Sequence, residues 1–381
     1  MDLHNKNIPF NLPYTSSNEI ENIIKAFSYD KICGDGFYTK QCHEWLKKRL
    51  KSNVLITPSC SAALEMMAIL LDAQPGDEVI MPSFTFVSTA NAFVLRGIKP
   101  VFVDIREDIL NIDERLIESA ITEKTKAICC VHYAGVGCNM DSIKKIASKY
   151  NLYVFEDAAQ GFGAKYNNQI LGTIGDLGAY SFHETKNISS GEGGCLILND
   201  KKFIERAEII REKGTNRSNF HRGLVDKYTW VDIGSSHLVA DYVAAYLYAQ
   251  LQRSEDINKK RMHIWNMYHS FFAKYEERGL LRRPIIPSDC SHNAHIYYLL
   301  FNDLQTRTNF IEHLNKNNIQ SVFHYVPLHS SPAGEKYCRT GSDMHITNKV
   351  SDTLVRLPLY YTLSDEDISR IFCVVEEFLG K

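Results

Sequence analysis

The feature that most constrains the fold is an alternation of two kinds of segment between residues 50 and 250. Short apolar and β-branched runs, typical of strands, alternate with longer amphipathic runs, typical of helices. The short runs occupy residues 53–56, 78–81, 100–104, 127–131, 153–156, 179–182 and 195–198. Helices are predicted to begin near Ser61, Ser88, Met140 and Lys202. The pattern predicts an α/β fold in which helices cover both faces of one large seven-stranded sheet.

The character of the sequence changes after residue 250. A long charged helix is predicted over residues 252–278, followed by a strand over 295–301 and another helix from Arg307. A chain of 381 residues exceeds the usual size of one hydrophobic core. We therefore expect an N-terminal arm and large domain over residues 1–250 and a smaller α+β domain over 251–381.

The numbers of basic and acidic residues limit the kinds of partner that the chain is expected to bind. The chain has 43 basic and 45 acidic residues, so nothing indicates nucleic acid or a membrane surface as the main partner. Residues 1–7 lack the features of a secretory signal, and no apolar run approaches the length that spans a membrane. We expect a cytoplasmic protein.

The cysteines point to neither a disulfide framework nor a metal. Ten cysteines are sparse for a chain of this length, and neither Cys129 with Cys130 nor Cys33 with Cys42 has the spacing of zinc ligands. Cys60 has no histidine partner nearby in the sequence that would make it a nucleophile. We expect free thiols and no metal site.

Two residues together indicate a cofactor. Lys186 lies in residues 181–187, SFHETKN, and Asp157 directly follows the apolar run 153–156. A lysine amine can hold pyridoxal phosphate (PLP) as a Schiff base, and an aspartate facing the pyridine nitrogen keeps that ring protonated. A solvated lysine and a capping carboxylate would explain each residue in isolation, so the cofactor interpretation depends on the pair.

Two loops after predicted strands are candidates for other parts of such a cofactor. Residues 57–64, TPSCSAAL, place small hydroxyl residues before a helix, whose first N–H groups can receive a phosphate. Ser59 or Ser61 as a simple N-cap would use the same donors. Residues 82–89, PSFTFVST, include Phe86, which could stack on a flat ring, although most such aromatic residues belong to a core.

Residues 324–329, HYVPLH, place polar rings within an apolar run of the C-terminal region. They are candidates for the wall of a cleft between the two domains. A lone histidine in this position is more often a hydrogen-bonded structural residue.

Taken in order, these stretches resemble the DegT/StrS family of sugar-nucleotide aminotransferases. The resemblance covers nearly the whole chain, from residues 8–11 and 33–36, through the Asp157 and Lys186 motifs, to the tail at 357–359. It implies the fold type I, aspartate-aminotransferase-like architecture of PLP-dependent enzymes, with a large mixed sheet. It also implies a homodimer with shared active sites.

Carried over residue by residue, the resemblance assigns a role to each candidate. Lys186 would be the Schiff-base lysine and proton shuttle, and Asp157 the partner of the pyridinium nitrogen. The other expected contacts are Gln160 to the ring hydroxyl, Phe86 to the ring face, Cys60, Ser61 and Ser181 to the phosphate, and Gly34, Tyr325 and His329 to the substrate. Many relatives use a Gly-x-Asn-x-Arg stretch to reach the partner's cofactor phosphate. This chain has GSSHL at 234–238, so Ser236 could donate one hydrogen bond there but the positive charge is lost.

The resemblance also implies a reaction. The longest matching stretches of sequence include residues 86–97 and 211–217. They imply transfer of the amino group of L-glutamate to C4 of dTDP-4-dehydro-6-deoxy-D-glucose, for synthesis of a cell-surface polysaccharide. Another nucleotide ketosugar, aminated at C3 or linked to GDP, stays open because the cofactor motifs report neither nucleotide nor carbon. A PLP-dependent sugar dehydratase would carry histidine in place of Lys186, and a non-catalytic PLP-binding protein would not need Lys186, Asp157 and Gln160 together.

The residues that hold the nucleotide diphosphate are not evident from the sequence. Arg211, Lys213 and Arg217 are candidates, and a solvated, charged helix end explains them equally simply.

Overall fold

A computed structural model describes residues 7–380, apart from the side chain of His221. Residues 1–6, on which the expectation about a secretory signal partly rests, lie outside the described residues. The strands are β1 (Asn53–Thr57), β2 (Glu78–Pro82), β3 (Lys99–Val103), β4 (Thr125–Val131), β5 (Tyr153–Asp157), β6 (Lys165–Tyr166), β7 (Gln169–Ile170), β8 (Leu177–Ser181), β9 (Gly194–Leu198), β10 (Leu281–Arg282), β11 (Cys290–Ser291), β12 (Tyr297–Phe301), β13 (Arg339–Thr340) and β14 (Leu354–Leu357).

The helices of the described residues alternate with strands as far as residue 211, and beyond that residue the chain contains more helix than strand. They are α1 (Ser17–Ala26), α2 (Phe37–Leu50), α3 (Cys60–Leu70), α4 (Val87–Val94), α5 (Glu114–Ala120), α6 (Met140–Tyr150), α7 (Ile204–Arg211), α8 (Arg217–His221), α9 (Asp241–Gln252), α10 (Ser254–Phe271), α11 (Ala273–Glu277), α12 (Leu304–Lys316), α13 (Pro332–Tyr337), α14 (His345–Thr353) and α15 (Asp365–Leu379).

The large sheet has the strand order β1-β9-β8-β5-β4-β2-β3-β13. Its inner strands run parallel, whereas β9 is antiparallel to both β1 and β8, so the sheet is mixed. All seven predicted strands belong to it, which confirms the predicted α/β class. Side chains alternate between two apolar cores, with Ile80 on one face and Val79 and Met81 on the other.

The eighth strand, β13, comes from the C-terminal region and was not predicted. It pairs in parallel with β3, so that Arg339 lies opposite Val101. The guanidinium of Arg339 donates two 2.7 Å hydrogen bonds to the two carboxylate oxygens of Glu78. A strand of two residues is too short to leave a periodic signal in the sequence, and this bidentate contact fixes its position.

The helices of the C-terminal region differ from the prediction in their bounds. The helix predicted over 252–278 is divided into α10 and α11, with a break at Phe272. Helix α12 begins at Leu304 instead of Arg307, because the side chain of Asp303 accepts a hydrogen bond from the N–H of Thr306 and caps the helix.

A third core lies in the C-terminal region, where β10, β12 and β14 form a small sheet packed against α10, α12 and α15. The N-terminal segment joins this core. Ile8 is fully buried in it, and its backbone exchanges hydrogen bonds with Asn318 and Gln320. The first described residues therefore pack with the last third of the chain and lie close to its border with the large sheet.

None of the helices in residues 7–380 combines the length and apolar character needed to cross a lipid bilayer.

Candidate active site

A cavity of about 720 Å³ lies between the large sheet and the C-terminal region. One wall consists of the first turns of α3 and α4 and the segments that follow β5 and β8. The opposite wall consists of side chains from α10, the segment before β12, and β14, together with Phe10 and Asn11 of the N-terminal segment. Ligands of open α/β sheets bind at this place, beyond the carboxyl ends of the parallel strands.

Lys186 lies in the cavity wall, in the loop between β8 and β9. Burial lowers the pKa of its amine, while the nearby Cys60 and Asp157 act in the opposite direction. A lower pKa increases the neutral fraction of the amine, which is the form that attacks a carbonyl carbon. The next residue anchors this loop, because the amide of Asn187 donates hydrogen bonds to Asn258 Oδ1 at 2.9 Å and to the carbonyl of Asn293 at 2.8 Å.

Asp157 is the last residue of β5 and faces the cavity. Its Oδ2 accepts a 2.6 Å hydrogen bond from the hydroxyl of Thr89, and its Oδ1 accepts one from the N–H of Ala159 at 3.1 Å. The neighbouring Glu156 points away, where three backbone N–H groups and His132 surround its carboxylate. The alternation expected of a strand thus directs one of the two acids, Asp157, towards the cavity.

The start of α3 supplies hydrogen-bond donors to the cavity. Ser59 caps the helix by accepting a 3.0 Å hydrogen bond from Ala62 N–H, while the N–H groups of Cys60 and Ser61 occupy the first turn and have no intrahelical acceptor. The hydroxyl of Ser61 lies 2.6 Å from that of Ser88. Burial raises the pKa of the Cys60 thiol well above its usual value, so the thiol stays protonated and is no nucleophile.

The backbone of β9 passes directly against this helix start. A Cβ at Gly194 would lie 2.3 Å from the carbonyl carbon of Ser59, so no side chain fits there. Ser181, at the end of β8, adds a further hydroxyl to the same wall. The helix terminus and the hydroxyls of Ser61, Ser88 and Ser181 form a cradle suited to a phosphate.

Phe86 precedes α4 and presents its ring to the cavity. The residue is 59% exposed, which rules out the alternative that it belongs to a core. An apolar ring left open at the wall of a cavity offers a face on which a planar ligand can stack.

Both polar atoms of the Gln160 side-chain amide make hydrogen bonds within the protein. Its Oε1 accepts a 2.7 Å hydrogen bond from the N–H of Ala134, and its Nε2 donates one to the hydroxyl of Tyr325 at 3.1 Å. The two residues line the cavity side by side. Gln160 therefore positions Tyr325, a contact that the sequence did not predict.

These side chains fit PLP. The cavity contains an amine of lowered pKa, a carboxylate with fixed orientation, an open aromatic face and a helix N-terminus with hydroxyls. In a PLP site these groups would hold the aldehyde carbon, the pyridine nitrogen, the ring face and the phosphate, respectively.

Three of the predicted residues lie outside the cavity wall. Ser236 is exposed and pairs with Glu212 through its backbone. His329 lies in a short turn, where its Nδ1 is 2.8 Å from the hydroxyl of Ser83. Gly34 is buried beneath Leu238, and a Cβ at this glycine would come within 2.6 Å of the Leu238 Cβ. Close packing accounts for the glycine, and a structural hydrogen bond accounts for the histidine.

The charged helix end at residues 211–217 also lies away from the cavity. Arg211 is buried, with its guanidinium 2.9 Å from Asp35, and it donates a hydrogen bond to the carbonyl of Ile56. Arg217 lies 3.1 Å from Glu212. These contacts favour the simpler interpretation, in which the charges stabilise the fold.

His324 lies in the cavity wall, within the stretch 324–329 that the sequence offered for it, whereas Thr89, Arg261, His295 and Arg356 of the same wall were not singled out. Asn187 uses its NH₂ group for two other acceptors, so His295 must donate from Nδ1 to Asn187 Oδ1, 2.9 Å away. Burial, together with the nearby side chains of Lys186, Arg261 and Arg356, keeps the pKa of His295 well below its usual value, so its ring is neutral. No local pattern distinguishes these residues, because the tertiary fold brings them together.

A cluster of metal-ligand types was also missed. The side-chain atoms of Cys130, His132 and Cys138 lie within 4.8 Å of one another and are fully buried. Both ring nitrogens of His132 already have protein partners, since Nε2 contacts Glu156 at 2.8 Å and Nδ1 accepts a hydrogen bond from the N–H of Cys138 at 3.1 Å. These contacts give the cluster a structural role.

The sequence matches a known protein family along most of its length. The sequence model described as the DegT/DnrJ/EryC1/StrS aminotransferase family matches residues 13–376. The uncharacterized protein MJ1066 of Methanocaldococcus jannaschii is 36% identical and covers 97% of each chain. The spore coat polysaccharide biosynthesis protein SpsC of Bacillus subtilis is 30% identical, over 98% of this chain and 97% of the relative. The GDP-perosamine synthase of Escherichia coli O157:H7 is 29% identical, over 98% and 99%.

The fold is also similar to that of solved structures. The PLP form of Spr1654 from Streptococcus pneumoniae, described as a sugar aminotransferase, superimposes with a TM-score of 0.90. It is 26% identical in sequence, and the match covers 98% of this chain and 99% of that one.

Proposed function

The chain belongs to the DegT/DnrJ/EryC1/StrS aminotransferase family, whose members depend on PLP, and on this premise we propose that it transfers the amino group of L-glutamate to C4 of dTDP-4-dehydro-6-deoxy-D-glucose. The products would be dTDP-4-amino-4,6-dideoxy-D-galactose and 2-oxoglutarate. The observation that carries the proposal is the presence of Lys186, with its lowered pKa, in one cavity with the oriented carboxylate of Asp157.

PLP bound in this cavity would supply an electron sink for the electron pair left when a proton leaves carbon. The protein would supply the proton transfers. In the first half of the reaction, the neutral amine of Lys186 removes the proton from the α-carbon of glutamate. In the second half, the Lys186 ammonium returns a proton to C4 of the sugar, and the face from which it does so sets the configuration at C4.

The other residues of the cavity orient the reactants. Asp157, fixed by Thr89, would keep the pyridine nitrogen protonated. Phe86 would cover one face of the ring, and Gln160 would hold the hydroxyl of Tyr325 in place beside the substrate. Such positioning lowers the barrier because the groups need not be ordered during each turnover.

The intact Lys186 argues against a sugar dehydratase, in which histidine would be expected. A non-catalytic PLP-binding protein would not require an amine of lowered pKa beside a fixed carboxylate and a phosphate cradle. The geometry therefore supports aminotransfer over both alternatives.

The nucleotide and the biological role are the finer parts of the proposal. The resemblance over residues 31–36, 86–97 and 211–217 supports the dTDP-linked sugar. The name of SpsC, a spore coat polysaccharide biosynthesis protein, supports a role in cell-surface polysaccharide synthesis. The similarity to GDP-perosamine synthase favours GDP-4-keto-6-deoxymannose as a second candidate substrate.

We also propose that the protein acts as a homodimer of two-domain subunits, divided near residue 250 between α9 and α10. Large apolar side chains are exposed in the segment before α9, where Leu224 is 68% and Trp230 is 77% exposed. Ser236 is exposed in the same segment, from which it would reach the cofactor phosphate of the partner. Sedimentation equilibrium of the purified protein would detect the dimer.

The reaction is tested by recording the absorbance of the PLP-loaded protein before and after addition of L-glutamate, and then after addition of each sugar. A spectral change driven by glutamate and reversed by dTDP-4-dehydro-6-deoxy-D-glucose, with a 4-amino product by mass spectrometry, is the expected result. Reversal by the GDP-linked sugar alone would replace the dTDP assignment. A protein whose PLP spectrum does not respond to glutamate would contradict the proposal as a whole.

A further inference from the structure

Asn187, the residue that directly follows Lys186, connects the loop between β8 and β9 to the C-terminal region. Both hydrogens of its amide are used, because Nδ2 donates to Oδ1 of Asn258 at 2.9 Å and to the carbonyl of Asn293 at 2.8 Å. Its Oδ1 accepts a third hydrogen bond, 2.9 Å long, from Nδ1 of His295. Asn187 is buried, so water does not replace a lost partner. The backbone beside Lys186 is therefore held by three groups that lie beyond residue 250.

The chemistry of these groups allows only one arrangement of donors and acceptors. The carbonyl of Asn293 can only accept, so it must face the NH₂ group of Asn187 and not its oxygen. His295 must then donate from Nδ1, and because its ring is neutral, its Nε2 carries no proton. The contact thus requires a donor at the Nδ1 position of residue 295, since an acceptor there would oppose the oxygen of Asn187.

The segment from Asn293 to His295 has a strained backbone. Ala294 has a φ of 51°, a left-handed conformation that is unfavourable for a residue with a side chain. Arg261 donates to the carbonyls of Ala294 and His295 at 3.2 and 2.5 Å. The side chain of Asn293 donates to the carbonyl of Gln160 at 2.8 Å. Strain of this kind persists only where surrounding contacts impose it, so the groups that contact the loop belong to a rigid segment.

The position of the Lys186 amine depends on this anchor. On the other side of the lysine, Glu184 and Thr185 are exposed and restrain the loop less. Burial lowers the pKa of the amine, and the C-terminal wall of the cavity contributes to that burial. A lysine that removes one proton and returns another must also occupy the same place in both steps. A loop without its anchor would admit water to the amine and allow it several positions.

We propose that His295 is a positioning residue for Lys186 and acts through the hydrogen bond from its Nδ1 to Asn187. The proposal rests on the aminotransferase function proposed above. Asn258 contributes a second contact from the same region. Because these partners belong to the C-terminal region while the lysine belongs to a loop of the large sheet, the amine reaches its working position only when the two parts of the chain are packed together.

Variants of residue 295 distinguish the two ring nitrogens. H295N places an amide donor near the position of Nδ1, H295Q places its amide near the position of Nε2, and H295L keeps neither. The measurement is the pH dependence of the reaction of Lys186 with trinitrobenzenesulfonate in the full-length protein without PLP, followed by mass spectrometry of the peptide that contains Lys186. Only the neutral amine reacts, so the midpoint of this profile reports its pKa. We expect the midpoint to rise by about one pH unit in H295L and H295Q and to stay near that of the wild type in H295N.

Two further variants control for effects on the fold. H313L is the matched control, because Nε2 of His313 lies 3.0 Å from the carbonyl of Val374, in the C-terminal region but outside the cavity wall. It loses a histidine contact and should leave the midpoint unchanged. N258A removes one acceptor of the Asn187 amide at a half-buried position and should shift the midpoint upwards by a smaller amount. If H295L does not fold, as judged by circular dichroism, N258A decides, and an unchanged midpoint in N258A overturns the proposal.

Kinetics of the PLP-loaded protein separate positioning from contact with the substrate. In H295L, kcat should fall by roughly tenfold while the KM values for L-glutamate and the nucleotide sugar stay near those of the wild type, and H295N should restore most of kcat. A sugar KM that is higher in H295N than in H295Q would show that Nε2 contacts the substrate, and the positioning role would be wrong. Identical labelling profiles in the wild type and a folded H295L would also overturn the proposal.

The labelling experiment does not depend on turnover. If the wild type transferred no amino group, the proposed function would fail. A shift of the Lys186 profile in H295L that H295N reverses would still establish that His295 positions the lysine.

Discussion

The hydroxyl of Thr89 donates a 2.6 Å hydrogen bond to Oδ2 of Asp157, although the two residues are separated by 68 positions in the chain. Thr89 belongs to α4 and Asp157 ends β5, so the contact joins a helix to the sheet at the cavity wall. The hydroxyl of Thr85 lies 2.8 Å from that of Thr89 and extends the chain of hydrogen bonds. The orientation of the Asp157 carboxylate therefore depends on a residue in a different element.

This contact predicts that T89V will impair turnover. Valine has nearly the same shape as threonine but cannot donate, and a hydrogen bond to a charged group contributes about 1.5–3 kcal/mol. We expect kcat to fall by roughly tenfold or more, measured as release of 2-oxoglutarate. T89S, which keeps the hydroxyl, is the control and should retain most of the activity. Wild-type kcat in T89V would show that the orientation of Asp157 does not depend on this bond.

Lys186 is predicted to be indispensable. K186A removes the amine that would move both protons, so turnover should be abolished while the fold is retained. The measurements are product formation by mass spectrometry and the circular dichroism spectrum of the variant. Activity near that of the wild type would remove Lys186 from the mechanism.

Phe86 is predicted to affect cofactor affinity without affecting stability. Because the ring is 59% exposed, F86A should change the melting temperature of the PLP-free protein by little. Loss of the stacking face should raise the Kd for PLP by roughly tenfold, as measured by equilibrium dialysis. F86Y is the control, since it preserves an aromatic face. A large drop in melting temperature would instead indicate that the ring contributes to packing.

His43 predicts a pH dependence of stability. Its Nε2 accepts a 2.9 Å hydrogen bond from the N–H of Ile56, and burial, together with the charge of Arg211, lowers its pKa to about 3. An unfolded histidine titrates near pH 6.5, so below that pH the unfolded state binds a proton that the folded state excludes. Folding stability should therefore fall as the pH decreases from 6.5 towards 3, by up to about 1.4 kcal/mol per pH unit for this residue.

Urea unfolding of the wild type and of H43Q at pH 7.5 and pH 5 would measure this effect. Glutamine can accept the same hydrogen bond but does not titrate, so H43Q should lose about 2 kcal/mol less stability than the wild type over this interval. Equal losses in the two proteins would show that His43 is protonated in the folded state.

Much of the fold was predictable because the strands of the large sheet are local patterns. Each of the seven is an apolar run of four or more residues that can be read without knowing its neighbours. Strand β13 has only two residues and exists because Arg339 meets Glu78 from a distant part of the chain. Secondary structure that depends on such a tertiary contact leaves no periodic signal.

The residues of the cavity wall likewise divide into those that belong to a local sequence pattern and those that only the tertiary fold brings together. Lys186 and Asp157 follow strands within recognisable motifs, and the structure places both in the cavity wall. Their expected roles remain predictions. Arg261 and Arg356 belong to no such motif, and the contact of Thr89 with Asp157 is not evident from residues 82–89, because folding alone brings the two side chains together. Arg356, for example, belongs to β14, and only the tertiary structure shows that its side chain lies in the cavity wall.

The pairing of β13 with β3 also protects the sheet. An edge strand with unpaired N–H and C=O groups can pair with a strand from another molecule, which is a common route to aggregation. Here the two residues of β13, the N–H of Gly341 bonded to Phe102, and the Arg339–Glu78 contact occupy that edge. A polypeptide that ended near residue 250 would leave the edge uncovered. The C-terminal third of the chain therefore prevents this edge of the sheet from pairing with a strand of another molecule.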